Sequence, residues 1–453
     1  MIRCLATTPF SPSFEQAIDR IALSIPRKET NSLRMESHPP NDEFHPIRAM
    51  LRTEYVRQAF RFIDEAHASI DDELIRVCEI PAPPFQEFAR AEYVQERFVQ
   101  LGLTSVRVDN EGNVIGERPG LSSNPRLIVS AHLDTVFPEG TDVRVKREAG
   151  RLSAPGISDN SCGVVSLIAL AAALNAARVT TERRIVFVAT VGEEGEGNLR
   201  GARALFTNPE VQSEVAAFIS LDGPGVERIT NRALGSRRYR VTISGPGGHS
   251  WGDFGIVNPI HALGRAIGRF AAYPAPLAPR TSYNIGIIEG GGSVNAVPQN
   301  ASMVVDMRSV SSEEIDKLEA YLRRVVDIAV REENLQRSMS GTSLDHKLEQ
   351  VGDRPSGETP ADSTLVRAAM ACSRALGIEP RLDCASTDSN IPISLGIPAI
   401  TIGVGGISGA CHSLTEWYES AGRELGLKRL LLLTLSLCGL AGEPVAFSTT
   451  ADD

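Results

Sequence analysis

Cysteine is sparse and forms no pattern. The seven residues, at positions 4, 78, 162, 372, 384, 411 and 438, include no CxxC pair. An odd number without short spacings does not make a disulfide framework and fits a reducing compartment. Apolar runs long enough to cross a bilayer are not expected either. The opening stretch MIRCLATTPFSPSFEQAIDRIALSIPRKET has no apolar core of the kind a secretory leader needs. The run LLLLTLSLCGLA, near residues 430–441, is too short to span a bilayer and reads as a buried helix. Nor is there a basic excess: 46 Lys and Arg against 56 Asp and Glu leave a formal charge of −10. No net positive surface is offered to a phosphate backbone. These gaps argue against a nucleic-acid partner and against the membrane, and the expected location is cytoplasmic.

What is present has ordinary proportions for a globular chain, 42% hydrophobic and 23% charged. A length of 453 residues exceeds one compact core and implies two or three domains. Residues 1–47 are polar and proline-bearing, as in NSLRMESHPPNDEFHP, and suit a flexible N-terminal extension, with Met35 and Met50 as alternative starts. Beyond it, helical and strand patterns alternate. RLIVSAHLDTV, RRIVFVATVGEEG and VAAFISLDGPG are apolar runs of the kind found in strands buried on both faces. Alternation of this kind predicts an α/β domain with a mostly parallel sheet flanked by helices. From residue 234 the order becomes β-α-β-β-α-β, an α+β split-βαβ unit, and near 355 the α/β pattern returns. The expected organisation is therefore a catalytic domain of residues 48–233 and 355–446, with residues 234–354 inserted as a lid.

In open α/β sheets, ligand sites lie beyond the carboxyl ends of the strands. The polar residues expected there are His132 and Asp134, then Asp159, Glu193 and Glu194, Asp222, and His412 after a glycine-rich turn. Desolvating so many carboxylates together is costly unless cations are present. Imidazole and carboxylate donors without a thiolate pair suit two Zn²⁺, with Co²⁺ or Mn²⁺ as substitutes. With Asp159, Glu194 and Asp222 as ligand carboxylates and a hydroxide between the ions, the charges balance. Asp134 is then available to orient His132, two residues away on the same strand face. Glu193 is left to act as a general base toward water.

The segments HLDT, GISDNSCG, GEEGEG, SLDG and CHSLTEW resemble the aminoacylase and carboxypeptidase family of di-zinc metallopeptidases. Peptidase T, carnosine dipeptidases, acetylornithine deacetylase and succinyl-diaminopimelate desuccinylase belong to it. The resemblance spans roughly residues 50–446 and implies that one metal is held by His132, Asp159 and Asp222. The other would be held by Asp159, Glu194 and His412, with Asp159 bridging. It implies catalytic roles for Asp134 and Glu193. In the lid, GPGGHSWGDFG resembles a segment whose histidine, here His249, reaches a partner's active site in a homodimer. SVNAVPQNASMVVDMRS resembles a substrate-binding segment with Asn295 and Arg308. His249 then serves the oxyanion, and Arg308 a substrate carboxylate. STDSNIP, with Thr387 and Asp388, and GVGGISG resemble further pocket walls. Asn160 and the pair Ser250-Trp251 depart from the family pattern and bear on the substrate.

The implied activity is hydrolysis of an amide bond in a small peptide by an exo-acting di- or tripeptidase, or one of carboxypeptidase type. An N-acyl amino acid deacylase is the alternative, and a non-catalytic binding protein on the same fold the third reading. His38, His45, His67, His261 and His346 are expected to be structural or exposed, and Glu196 to be a solvated loop charge. Cys162 and Cys411 are expected to pack rather than react.

Overall fold

A computed structural model of the chain describes residues 45–337, 342–442 and 446–447. The extension expected over residues 1–47 falls outside them except for its last three residues, which begin a helix over His45–Arg52.

The larger sheet has nine strands. Its centre is parallel: Arg183–Thr190, Ser122–His132, Val215–Leu221 and Ala399–Ile402 lie side by side in that order. These are the continuous apolar runs of the sequence, and the strands at 183–190 and 215–221 are almost wholly buried. Antiparallel strands flank this centre. Val114–Arg118 pairs with 183–190 and with Thr104–Val108 in a hairpin. On the other side Arg228–Ala233 runs antiparallel to 399–402. The expectation of a mostly parallel sheet thus describes the centre, and the sheet as a whole is mixed. A short hairpin closes one edge, where Asp109 Oδ1 accepts from the backbone N–H groups of Glu111, Gly112 and Asn113. Such a turn needs no crossover helix, so it adds an antiparallel strand.

The helix Cys162–Ala176 is buried almost all round, between the sheet and the helices Glu54–Glu65, His67–Cys78 and Arg423–Cys438. With the turn before it, it forms a stretch, 157–176, of bilayer-spanning length and apolarity, and that stretch is buried inside the fold. A helix that is hydrophobic on every face belongs in a core.

A second, four-stranded antiparallel sheet is made by residues 235–354, in the order Thr281–Gly290, Asn300–Ser309, Gly235–Ser244, Asp345–Arg354. Its strands alternate. Tyr239, Val241, Ile243, Met303, Val305 and Met307 turn to one face and are buried against the helices Pro259–Phe270 and Ser312–Gln336. Both helices begin on side-chain caps: Asn258 accepts from Ile260 N and His261 N, and Ser311 from Glu314 N. The opposite face is polar, with Arg238, Arg240, Asp306 and Arg308 at the alternate positions. This apolar core is separate from that of the larger sheet. The chain passes between the two sheets twice, near Leu234 and Pro355. The buried Asn390 ties the two passages together, its Nδ2 donating to the carbonyls of both.

Candidate metal centre and active-site cavity

His132 ends its strand, and Glu193-Glu194 and Asp222 follow the ends of theirs. Asp159 lies in the turn before the core helix, and His412 in a loop after the short strand Ile407–Gly409. All converge. His132 Nε2 is 3.1 Å from Asp159 Oδ1 and 4.0 Å from Asp222 Oδ1. His412 Nε2 is 3.0 Å from Asp159 Oδ2 and 3.0 Å from Glu194 Oε1. The two oxygens of Asp159 therefore face different histidines. Donor atoms also cluster as His132, Glu193 and Glu194, and as Asp159, Cys411 and His412.

The electrostatics follow from burial. Desolvation, then the charge of Asp159, pushes the Asp222 carboxyl up to about 6. Glu193 is raised well above its ordinary value by burial, partly offset by Arg354. Burial opposes charge on His132, but its bonds to Asp134 and Asp159 outweigh this and raise it. Bonds to Asp159 and Glu194 push His412 up to about 10. The group attracts positive charge. Even with both imidazoles protonated, Arg354, 3.3 Å from Glu193, brings the cations to three against the five carboxylates of Asp134, Asp159, Glu193, Glu194 and Asp222. Oxygen and imidazole donors this close fit a pair of divalent ions.

Asp134 is fully buried, and its carboxylate is used differently from expectation. Oδ1 accepts from Glu193 N at 3.0 Å and Oδ2 from Glu194 N at 2.8 Å. His132 Nδ1 lies 3.1 Å from the Asp134 backbone carbonyl and 3.6 Å from Oδ1. Asp134 thus holds the glutamate pair through its carboxylate and meets the imidazole through its backbone carbonyl. Glu416, quoted in CHSLTEW but given no role there, accepts from Gly156 N, Ser158 N, Ser158 Oγ and Asp159 N. It shapes the turn that presents Asp159. Asn160 also turns inward: Nδ2 donates to Leu221 O, and Oδ1 accepts from Gly163 N and Gly223 N. It joins the Asp159 turn to the Asp222 strand. A Cβ on Gly163 would lie 2.2 Å from Asn160 Oδ1, so that glycine is required by contact.

A cavity of about 510 Å³ covers the cluster. Asp159, Glu193, Glu194, Asp222 and His412 line its floor, while Arg238, Arg308 and Arg354 line it from the lid. Arg354 ends the last lid strand. It donates to the Glu193 carbonyl and to Ser386 Oγ as well as meeting the Glu193 carboxylate. Neither Arg354 nor Arg238 was singled out in the sequence, where each looks like one more charge on a polar strand. A second cavity, of about 670 Å³, reaches Asp159 and Asp222 beside Ser408 and Cys411. Cys411 Sγ is 3.3 Å from Asp159 Oδ2, and burial and that carboxylate raise its thiol, against a nucleophilic role.

His249 and Asn295 are not brought to this cavity. They lie together on the lid, where Gly248–His249 pairs with Ala296–Val297 and Ser250 N donates to Asn295 O. Trp251, Phe254 and Val294 beside them are largely exposed. Thr387 and Asp388 are buried, with Asp388 accepting from Thr190 Oγ1, and the wall expected from them is made by Ala385 and Ser386. His67, His261 and His346 lie elsewhere, near Ser420, Glu333 and Asp327, and Glu196 is exposed.

A cluster of imidazoles and carboxylates at the carboxyl edge of an α/β sheet, beneath an inserted α+β unit, is the setting of a metal-dependent hydrolase. The profile of Peptidase family M20/M25/M40 matches residues 128–435, which include every residue of the cluster, and the chain belongs to that family. It is similar to the putative succinyl-diaminopimelate desuccinylase DapE of Mycobacterium tuberculosis, 26% identical over 342 residues, covering 72% of this chain and 87% of the relative. The cytosol non-specific dipeptidase of Escherichia coli is 23% identical over 305 residues, covering 60% of this chain and 61% of the relative. Among solved structures, a tripeptidase of Staphylococcus aureus superposes with a TM-score of 0.67 at 22% identity, covering 81% of this chain and 97% of that one.

Proposed function

We propose that this hydrolase cleaves an amide bond in small peptides and does so with two divalent ions. His132, Asp159 and Asp222 would hold one, and Asp159, Glu194 and His412 the other. The observation that carries the reading is Asp159, whose two carboxylate oxygens each face a different histidine at about the same distance, 3.1 and 3.0 Å. Zn²⁺ suits these donors, with Co²⁺ or Mn²⁺ as substitutes. Such ions supply Lewis acidity toward the amide carbonyl and toward water. Glu193 takes the proton of the attacking water and delivers it to the departing nitrogen. Asp134 keeps Glu193, Glu194 and His132 in register, and Arg308 receives a substrate carboxylate.

The dipeptidase and tripeptidase among the similar proteins support a peptide substrate, and the desuccinylase supports an N-acyl amino acid as the second reading. Residues 48–233 and 355–446 are taken as the catalytic domain and 234–354 as a lid and dimerisation domain. Exposure of His249 and Asn295 on a loop outside their own cavity supports a homodimer in which a second copy supplies them. Free cysteines throughout the described residues support a cytoplasmic location.

The test is metal content beside turnover, on zinc-loaded protein screened against dipeptides, tripeptides and N-acyl amino acids. Glu194→Ala should lose metal. Glu193→Ala should keep it and lose turnover by roughly 10²–10⁴-fold. Unchanged hydrolysis in Glu193→Ala would sink the mechanism.

A further inference from the structure

The lid face above the metal cluster carries more positive charge than one substrate carboxylate needs. Register sets the pattern. Arg238 lies opposite Asp306, and Ser236 lies between Arg308 on one neighbouring strand and Arg354 on the other. Asp306 Oδ1 accepts from Arg238 Nε at 3.0 Å, and Oδ2 from Arg308 Nε at 2.6 Å. A single carboxylate orients both planar forks and balances one of the two charges. Arg238 is not turned to open solvent. Its Nη1 donates to the carbonyl of Gly195, next to Glu194, so it stands across the cavity from the metal loop. A guanidinium has more N–H donors than these contacts use. Arg354 is engaged by Glu193, which leaves Arg238 and Arg308 as the pair presented to a ligand.

We infer that the preferred substrate is a small amide carrying two carboxylates, one received by Arg308 and the second by Arg238. Arg238 is then the residue that selects an acidic side chain or an acidic acyl group over a neutral one of the same size. This rests on the amide-hydrolase reading above. Two guanidinia fixed by a shared aspartate lose little freedom on binding, and each reads a carboxylate through paired N–H donors. A neutral amide or methyl group in the same place leaves those donors unpaired.

The test uses matched pairs on the zinc-loaded full chain: Ala-Glu against Ala-Gln, and N-succinyl-alanine against N-butyryl-alanine. The first pair places the second carboxylate on the amine side of the bond, and the other on the acyl side. In at least one pair the acidic member should have a kcat/KM roughly ten- to a hundredfold higher. That ratio should fall by about tenfold in Arg238→Gln and be partly kept in Arg238→Lys. If Arg238 only braces the lid on the metal loop, Arg238→Gln lowers both members of a pair alike and the ratio stands, which overturns the proposal. Ratios near one in both pairs for the native chain overturn it as well. Hydrolysis of none of the four substrates, or of a wider peptide panel, counts against the amide-hydrolase reading itself.

Discussion

The floor of the cavity and its roof are built by opposite means. On the floor, the chemical residues follow strand ends and sit in turns held by other side chains: Asp134 on the glutamate pair, Glu416 on the Asp159 turn, Asn160 on the Asp222 strand. On the roof, Arg238, Asp306 and Arg308 sit inside regular strands, and alternation alone turns them to the cavity. The floor is acidic and mostly buried, the roof basic and half-buried. On the floor, Asp159, Glu193 and Glu194 are braced through their backbone N–H groups by Glu416 and Asp134. The roof owes its placement to the angle at which a separate sheet is held.

The contrast can be broken most severely from below. Asp159→Asn removes the carboxylate shared by both histidines, and we expect both ions to be lost, with kcat/KM down on the order of a thousandfold or more. Metal analysis of the dialysed protein checks this; full metal content with low activity would mean that Asp159 is not the bridge. Next is the contact between roof and floor. Arg354→Lys keeps the charge beside Glu193 but loses the fork that also grips its backbone. The expected result is a kcat lower by about tenfold, a KM little changed, and metal retained. Loss of metal in step with activity would make Arg354 a brace for the whole site.

A smaller effect concerns the second copy. Inactive Glu193→Ala and inactive His249→Ala proteins, mixed after dissociation, should recover part of the native rate if His249 acts across a dimer. No recovery, or active monomers in light scattering, removes that role. The least effect on chemistry comes from the lid's own core. Leu322→Ala should lower stability by about 2–5 kcal/mol in thermal unfolding and leave metal content intact. Leu167→Ala has a similar cost, but its helix follows Asp159, so metal affinity should fall with it.

Legibility in the sequence divides along the same line. His132, Glu193, Glu194 and Asp222 could be found because an apolar strand running into acid or histidine is an unusual pattern with a physical meaning; Asp159 precedes an apolar helix and His412 follows a glycine-rich turn, each at its place in the same α/β alternation. Arg238 and Arg354 could not. A polar residue at every second position reads the same whether the face meets water or another domain. Within STDSNIP, Ser386 lines the cavity while Thr387 and Asp388 are buried beneath it, Thr190 Oγ1 donating to Asp388 Oδ2 and Thr401 bonded to Thr387. Asn160 is a third case. It departs from the family pattern beside Asp159, and its amide group joins its own turn to the end of the strand 215–221.

The sequence by itself determined which segments become strands and helices, where a second α+β unit interrupts the first, and which acids and histidines lie at strand ends. Periodicity and local turn chemistry suffice for that. Only the tertiary structure decided that Asp159 faces both histidines, that Asp134 grips the backbone of the glutamate pair, and that the arginine-bearing face of the lid closes over carboxylates. Those relations join residues tens to hundreds of positions apart. They depend on how two separately cored sheets are set against each other, which no local pattern encodes.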